Sequence, residues 1–289
     1  MFKHIVLITN SKSAKVLSTL EQLTIYLQNI KKTISFYAFD NNTGDNISIT
    51  SNDQKSATHH DLAIAIGGDG TMLKAAQLAC LYNIPLLGIN RGKLGFLADI
   101  PANSMEQHLR QIFAGHFTRD ERFLLSTEVF RKNVSIFQGN ALNDVILQRW
   151  NIARLVEFKT YVDNNFVHQQ RSDGLIISSP TGSTAYALSG GGPILYPSLS
   201  ALALIPICPH SLSNRPIIID ASSKIEIIVG TRKHDQARLT CDGDIKLELA
   251  PKDRVCISKK DSKICFIHPA DHNHFNLLRA KLNWGKKNC

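Results

Sequence analysis

One stretch decides the N-terminal fold: Ile64-Ala65-Ile66-Gly67-Gly68-Asp69-Gly70-Thr71-Met72-Leu73. An apolar run ends in a glycine-rich turn, and helix-forming residues follow, which predicts a strand, a tight turn and a helix. The glycines let a polyanion approach the backbone closely, and the free N–H groups of such a turn can bind phosphate. We therefore predict a phosphate-binding turn.

Asp69 is the unusual residue of this turn. A carboxylate among phosphate-binding amides repels the ligand, unless it accepts a proton from an attacking hydroxyl or helps to hold Mg²⁺. The alternative is a tight strand-to-helix turn in which Asp69 caps the helix. The residues of the turn leave both readings open.

Strands and helices alternate around the turn. Apolar runs and helical spacing predict the following elements: a strand at His4–Thr9, a helix through Val16, Leu20, Leu23, Leu27 and Ile30, a strand at Ile34–Phe39, a loop at Asp40–Thr58, a strand at Leu62–Ile66, a helix at Thr71–Tyr82, a strand at Ile84–Ile89 and an amphipathic segment at Ser104–Phe113. Such alternation is typical of a parallel sheet covered by helices.

The second half consists of short β-rich runs separated by turn signals at Arg131-Lys132-Asn133, Asp163-Asn164-Asn165 and Asp242-Gly243-Asp244. This predicts antiparallel pairing. The fold class is therefore α/β plus β, with a Rossmann-like α/β domain and parallel sheet over residues 1–118 and a mostly antiparallel β domain over 119–270.

Composition limits the function classes. The 289 residues are 43% hydrophobic and 20% charged, enough for a sizeable core without metals or disulfides. Lys and Arg number 33 against 24 Asp and Glu, so the net charge of +9 favours anionic partners. The basic residues are scattered, which argues against nucleic-acid binding.

Neither a signal peptide nor an apolar run long enough to span a membrane is evident, so we expect a cytoplasmic protein with no membrane partner. The six cysteines form no C-x-x-C pair and are expected to be reduced core residues. His59-His60 and His272-Asn273-His274 lack the ligand spacing of a zinc site and are expected to be loop histidines.

Two familiar nucleotide motifs are missing. No G-x-G-x-x-G follows the first strand, and Gly92-Lys93-Leu94 lacks the Ser or Thr of a P-loop. A second segment, Asp173–Pro193, combines many hydroxyls with Tyr186, which suits recognition of a ribose and a flat ring. A flexible loop with a glycine hairpin is the alternative.

Five blocks in order together resemble the bacterial NAD kinases: Gly67-Gly68-Asp69-Gly70-Thr71, Gly88 to Leu97, Asn143-Asp144, Asp173 to Ser189, and Pro209 to Pro216. The first block alone also occurs in diacylglycerol and sphingosine kinases. The resemblance implies Mg-ATP-dependent phosphorylation of the adenosine 2′-hydroxyl of NAD to give NADP. Asp69 would be the catalytic proton acceptor, and Mg²⁺ would be carried with ATP rather than fixed by protein side chains.

The resemblance also implies residues that bind NAD or ATP. They are the turn residues Gly67, Gly68, Asp69, Gly70 and Thr71; Asn143 and Asp144 for adenine; Arg154 and Arg171 for the pyrophosphate; Asp173 for the nicotinamide-side ribose or amide; and Thr184, Ala185, Tyr186, Ala187, Leu188 and Ser189 along the dinucleotide. Relatives often carry Gln where Asp244 aligns, so a hairpin turn is the safer interpretation of Asp244.

Further implications are a dinucleotide held mostly by the β domain in a cleft, a homodimer or homotetramer, and packing of residues 271–289 on the first domain. Two alternatives remain: a lipid kinase of the diacylglycerol type and a non-catalytic NAD-binding regulator. A lipid kinase needs an apolar channel, whereas the Asp173–Pro193 segment is rich in hydroxyls.

Overall fold

The computed structural model describes residues 2–9, 13–38, 50–51, 60–92, 95–150, 154–211, 213–232 and 235–284. The chain divides into two compact units, which we call unit 1 (Met1–Glu121 with Ile264–Cys289) and unit 2 (Arg122–Lys263). The sequence analysis placed the corresponding divisions at residues 118 and 270.

Unit 1 contains a parallel sheet with helices. Its N-terminal elements are β1 (His4–Thr9), α1 (Ala14–Asn29), β2 (Thr33–Ala38), β3 (Thr50–Ser51), β4 (Leu62–Gly67), α2 (Asp69–Tyr82), β5 (Leu86–Asn90), β6 (Ile100–Pro101), a 3-10 turn (Ala102–Ser104) and α3 (Met105–Phe113). β1 pairs in parallel with β2 and β4, and β4 pairs in parallel with β5. Every residue of β4 is buried, as expected for a strand covered on both faces. The predicted parallel α/β architecture is confirmed.

The element bounds differ slightly from the predictions. α2 begins at Asp69 rather than Thr71, because Gly68 takes the extended conformation of an N-cap. β5 begins at Leu86, after Pro85, which has no N–H to donate. The predicted loop 40–58 lies outside the described residues, except for Thr50–Ser51, which pair with β2.

Unit 2 is mostly antiparallel. Its elements are β7 (Phe117–Arg131, beginning in unit 1), β8 (Val134–Ala141), β9 (Asp144–Arg149), β10 (Val156–Val162), β11 (Asn165–Ser172), β12 (Gly174–Ser178), a 3-10 turn (Thr181–Thr184), α4 (Tyr186–Ser189), β13 (Ala201–Ile207), β14 (Ile217–Asp220), β15 (Ile225–Val229), β16 (Ala237–Cys241) and β17 (Asp244–Leu249). One sheet has the order β14-β13-β12-β9-β16-β17. The antiparallel prediction is confirmed.

The three predicted hairpin turns are present. Each has positive φ at both central residues, Lys132-Asn133, Asp163-Asn164 and Asp242-Gly243. This conformation matches the twist of the flanking strands, and Asn, Asp and Gly tolerate it best.

The chain returns to unit 1 through β18 (Arg254–Pro269), whose Phe266 pairs in parallel with Leu86, and through α5 (His274–Leu282). Each unit has its own apolar core, around Leu7 and Ile64 in unit 1 and around Leu147 and Phe158 in unit 2. Among the described residues, no helix is long and apolar enough to cross a membrane. Cys241 is buried as predicted, whereas Cys208 is exposed.

Candidate functional site

The glycine turn joins β4 to α2 and leaves its backbone accessible. Gly68 and Gly70 are exposed, and a Cβ added to either would meet nothing within 4 Å. Thr71 N donates to Gly68 O at 3.0 Å, whereas the N–H groups that precede it at the start of a helix have no i−4 partner and are available to an anion. Gly67 has a packing role, because a Cβ there would overlap the side chain of Thr71.

Asp69 does not cap its own helix. Its Oδ2 accepts a hydrogen bond from Phe96 N at 2.9 Å, and its Oδ1 accepts from Leu97 N at 3.0 Å and Ala98 N at 3.4 Å. The N-cap is Gly68, without a side-chain bond. The capping alternative is therefore wrong, and the carboxylate is fixed at the start of α2 by three backbone N–H donors, which we call the 96–98 amides.

Sequence reasoning missed the 96–98 amides. Gly95 precedes them, and a Cβ on Gly95 would overlap the carboxylate of Asp69. Backbone donors leave no mark on residue type, so only the glycine could have signalled a close approach at this position.

In unit 2, Asn143 and Asp144 lie at the start of β9 and are held by Asp242. Asp242 Oδ1 accepts from Asn143 N at 2.7 Å and Asp144 N at 3.3 Å, while its Oδ2 accepts from Leu142 N at 2.8 Å. From the sequence the Asp242 hairpin is predicted only as a turn, and this role of Asp242 is not predicted. Asp244 is exposed and lies 3.3 Å from Lys246 Nζ.

The Asn143-Asp144 pair is polar, with Asn143 partly buried and Asp144 buried. Asp144 is 4% exposed, and burial, together with the charge of Asp242, raises its pKa to about 7. At neutral pH its carboxyl group therefore both donates and accepts. Asn143 Oδ1 is buried and has no hydrogen-bond partner among the described residues. A buried acceptor of this kind is costly unless a ligand or water satisfies it.

The segment after β12 is bound to the same place. Ser179 N donates to Asn143 O at 2.9 Å, and Ser179 Oγ donates to Leu142 O at 2.5 Å. A Cβ on Gly182 would overlap Asn143 O, so glycine permits this close approach. Residues 142–144 and 179–182 thus form one hydrogen-bonded segment of unit 2.

The remaining predicted residues of this segment differ in exposure. Tyr186 is 41% exposed and Ser189 is exposed, so both side chains are accessible to a ligand. Thr184, Ala185 and Leu188 are partly buried. The side chain of Ala187 packs in an apolar cluster with Ile146 and Ile176, so only its backbone is left to bind a ligand.

Asp173 directly precedes β12, and Arg171 lies near the end of β11. Ser178 pairs with Asp144 and Gly174 with Gln148, so the two ends of β12 lie four residue steps, about 13 Å, apart. Arg149 Nε lies 3.1 Å from Asp173 Oδ1, a pairing that sequence reasoning missed. Arg154 and Arg171 are exposed.

Two family descriptions match most of the chain: the ATP-NAD kinase N-terminal domain over residues 5–117 and the ATP-NAD kinase C-terminal domain over residues 142–269. The chain belongs to the ATP-NAD kinase family. An NAD kinase of Pseudomonas entomophila is 47% identical over 227 residues, covering 78% of this chain and 77% of that protein. An NAD kinase of Azotobacter vinelandii has the same identity and coverage.

Solved structures share the fold. A yeast NADH kinase complexed with NADH has a TM-score of 0.85 at 22% identity, covering 99% of this chain and 89% of that chain. An NAD kinase from Archaeoglobus fulgidus in complex with ATP has a TM-score of 0.71 at 22% identity, covering 98% and 100%. The family matches and the NAD kinase relatives make the protein a kinase of the NAD kinase type, and they favour neither the lipid kinase nor the non-catalytic regulator.

Proposed function

We propose that the protein transfers the γ-phosphoryl group of Mg-ATP to the adenosine 2′-hydroxyl of NAD, giving NADP and ADP, with Asp69 as the general base. The observation that carries the proposal is the carboxylate of Asp69, held by the 96–98 amides at the end of an open glycine turn. Family membership supplies the reaction class.

Asp69 accepts the proton of the 2′-hydroxyl as the bond from that oxygen to phosphorus forms and the bond from phosphorus to the leaving ADP oxygen breaks. A ribose hydroxyl is a very weak acid, so proton transfer to a carboxylate occurs late, when the oxygen has begun to bond to phosphorus. The exposed backbone at Gly68 and Gly70 supplies N–H donors for the phosphate charge.

Asn143 and Asp144 recognise adenine. The buried Asn143 Oδ1 accepts a hydrogen bond from an exocyclic amino group, and the Asp144 carboxyl, with its pKa near neutrality, donates to or accepts from the ring. Tyr186 offers a ring face and Ser189 a hydroxyl to the dinucleotide. Arg154, Arg171 and Asp173 remain predictions for its other parts.

Mg²⁺, arriving with ATP, would supply positive charge against the transferring phosphoryl group. The proposed site fits a metal that arrives with its nucleotide, because Mg²⁺ prefers oxygen ligands and keeps substrate phosphates and waters among its ligands. The one potential three-residue ligand group among the described residues contains two imidazoles, which do not suit Mg²⁺. A cytoplasmic location and a homodimer or homotetramer also remain predictions.

The purified protein is incubated with Mg-ATP and NAD, and NADP is followed with a coupled NADP-dependent dehydrogenase. We expect turnover for the parent and a fall in kcat of about 10²-fold or more for Asp69→Asn, the range for losing a general base. The affinity for NAD is measured by calorimetry. We expect the affinity of the variant to be close to that of the parent, which would assign the loss of activity to the chemical step.

Asp261→Asn, a change at an exposed carboxylate of unit 2, is the matched control and is expected to keep parental turnover. Full activity in Asp69→Asn would remove Asp69 from the mechanism. Diacylglycerol replaces NAD in a parallel assay, and phosphorylation of the lipid alone would replace the proposal with the lipid kinase.

A further inference from the structure

Three side chains of unit 1 form a buried cluster with no role in the proposed reaction so far. Asp99 Oδ2 lies 2.8 Å from His268 Nδ1 and 2.7 Å from His272 Nδ1. The side chains of Asp99, His268 and His272 are 8%, 3% and 14% exposed. His272 lies in a loop, as expected, and is also part of this Asp99 cluster.

The donor and acceptor roles follow from charge. Burial alone would raise the pKa of Asp99, but the hydrogen bonds and charges of both histidines lower it to about 2. The carboxyl group therefore carries no proton at neutral pH, and both Nδ1 atoms donate to it. Two N–H donors on one buried charged oxygen make strong hydrogen bonds.

The geometry does not suit a metal ion, although the three ligand atoms lie within 4.8 Å of one another. The two imidazole rings are stacked, with centroids 4.0 Å apart and planes 19° apart. The in-plane lone pairs of stacked rings run almost parallel, whereas tetrahedral coordination needs them to converge on one point.

The Asp99 cluster lies next to the loop that holds Asp69. Asp99 directly follows the 96–98 amides that hold Asp69. The same loop is bound by Asn90 Nδ2, which donates to Ala98 O at 3.1 Å. The C-terminal helix α5 also reaches it, since Lys281 Nζ lies 5.4 Å from the centroid of the Phe96 ring.

We propose that Asp99, His268 and His272 are positioning residues that anchor the loop carrying the 96–98 amides and so hold the carboxylate of Asp69 in its working orientation. The inference rests on the proposed function, in which Asp69 is the base. It gives the end of β18 and the turn after it a part in catalysis without contact with either substrate.

The first test compares Asp99→Asn and the paired variants His272→Leu and His272→Asn with the parent. Asn places an N–H close to the position of His Nδ1, whereas Leu removes the donor. We expect kcat to fall about 10-fold in Asp99→Asn and His272→Leu, because small misplacements of a reacting group are costly. KM for NAD and ATP stays within about two-fold, and His272→Asn recovers most of kcat.

His108→Leu is the matched control. His108 Nδ1 also bonds a protein oxygen, Ser104 O at 2.8 Å, but on α3. Its kcat is expected to stay close to parental. A lower melting temperature with unchanged kcat in His272→Leu would mean a structural role only and would overturn the inference, as would zinc chloride raising the melting temperature of the parent but not of His272→Leu.

The second test is a double-mutant cycle with Asp69→Asn. If Asp99 acts through Asp69, Asp99→Asn costs little further activity once the base is absent, whereas independent effects multiply. Multiplying losses overturn the inference. The two proposals fail differently: a parent without turnover removes the proposed function, while an active parent with a fully active Asp99→Asn removes only the positioning role.

Discussion

Gly95 lies against the carboxylate of Asp69, and the space beside Asp69 Oδ1 is too small for a Cβ at position 95. The absence of a side chain lets the loop close on the carboxylate, so that the next residues can donate from Phe96 N and Leu97 N. The orientation of the proposed base is therefore set by a glycine and by backbone groups rather than by a polar side chain.

Gly95→Ala is expected to displace the carboxylate of Asp69 and lower kcat by about 10²-fold, as for a reacting group moved by about 1 Å. The coupled NADP assay measures the loss. Gly92→Ala is the matched control, because a Cβ there meets Asn90 Oδ1 only at 3.9 Å. Equal activities of the two variants would contradict the close packing of Gly95 on Asp69.

Asp242→Asn tests how the Asn143-Asp144 pair is positioned. In Asp242→Asn one carboxylate oxygen is replaced by an NH₂ group. This NH₂ group faces the backbone N–H of either Leu142 or Asn143, which in the parent donates to a carboxylate oxygen. Loss of one such bond costs about 1–3 kcal/mol of stability and frees the Asn143-Asp144 pair to move. A displaced pair that loses about 1.4 kcal/mol of its binding free energy for NAD weakens the affinity tenfold. We expect KM for NAD to rise about tenfold or more.

Asp244→Asn serves as the control for Asp242→Asn, because it lies in the same hairpin but is exposed and paired with Lys246 on the surface. Its KM for NAD is expected to stay parental. A rise in KM of the same size in both variants would indicate a general disturbance of the hairpin instead of the loss of the Asp242 bonds.

The elements and turns that depend on a local sequence pattern could be predicted from the sequence. The apolar run of β4 and the glycines after it predicted the strand, turn and helix around Asp69, and the Asp and Asn residues of the hairpins predicted their turns. These features depend on residues that are neighbours in the chain, so a periodic pattern or a turn residue is enough to reveal them.

The sequence could not predict the partners that hold the site. Asp69 is bonded by residues 27 to 29 positions away, Asn143 by Asp242 and Asp99 by His268. Backbone donors carry no residue signature, and an Asp in a hairpin looks the same whether or not its carboxylate reaches another strand. Such contacts follow from tertiary packing rather than from propensity.

Asp144 should make the stability of the protein depend on pH. Its folded pKa of about 7 lies above its ordinary value of 3.8, because of burial and the charge of Asp242. Between pH 4 and 7 the folded state keeps a proton that the unfolded state has lost. The contribution of Asp144 to the free energy of unfolding is therefore greatest below about pH 4 and decreases as the pH rises to 7.

Urea unfolding at pH 5 and pH 8 measures this contribution in the parent and in Asp144→Asn, which does not titrate. The free energy of unfolding of the parent, relative to the variant, is expected to fall by about 3 kcal/mol between these pH values, at about 1.4 kcal/mol for each of about two pKa units. Asp99, whose lowered pKa acts below pH 4, does not contribute in this range. A constant difference would contradict the raised pKa.

Ser183 is the site of the last prediction. Its hydroxyl is completely buried and joins two parts of unit 2, at Pro180 and at Leu195. Its Oγ donates to Pro180 O at 2.7 Å and accepts from Leu195 N at 3.0 Å. In Ser183→Ala the N–H of Leu195 is left buried without this acceptor, so we expect the free energy of unfolding to fall by about 1–3 kcal/mol.

Ser183→Ala should also weaken NAD binding, since Ser183 lies between Gly182, which packs on Asn143 O, and Thr184 of the proposed dinucleotide segment. Urea unfolding and KM for NAD are measured together, with the exposed Ser200→Ala as control. If stability fell while KM for NAD stayed parental, the hydroxyl would stabilise unit 2 without shaping the dinucleotide site, and the expected effect on NAD binding would be wrong.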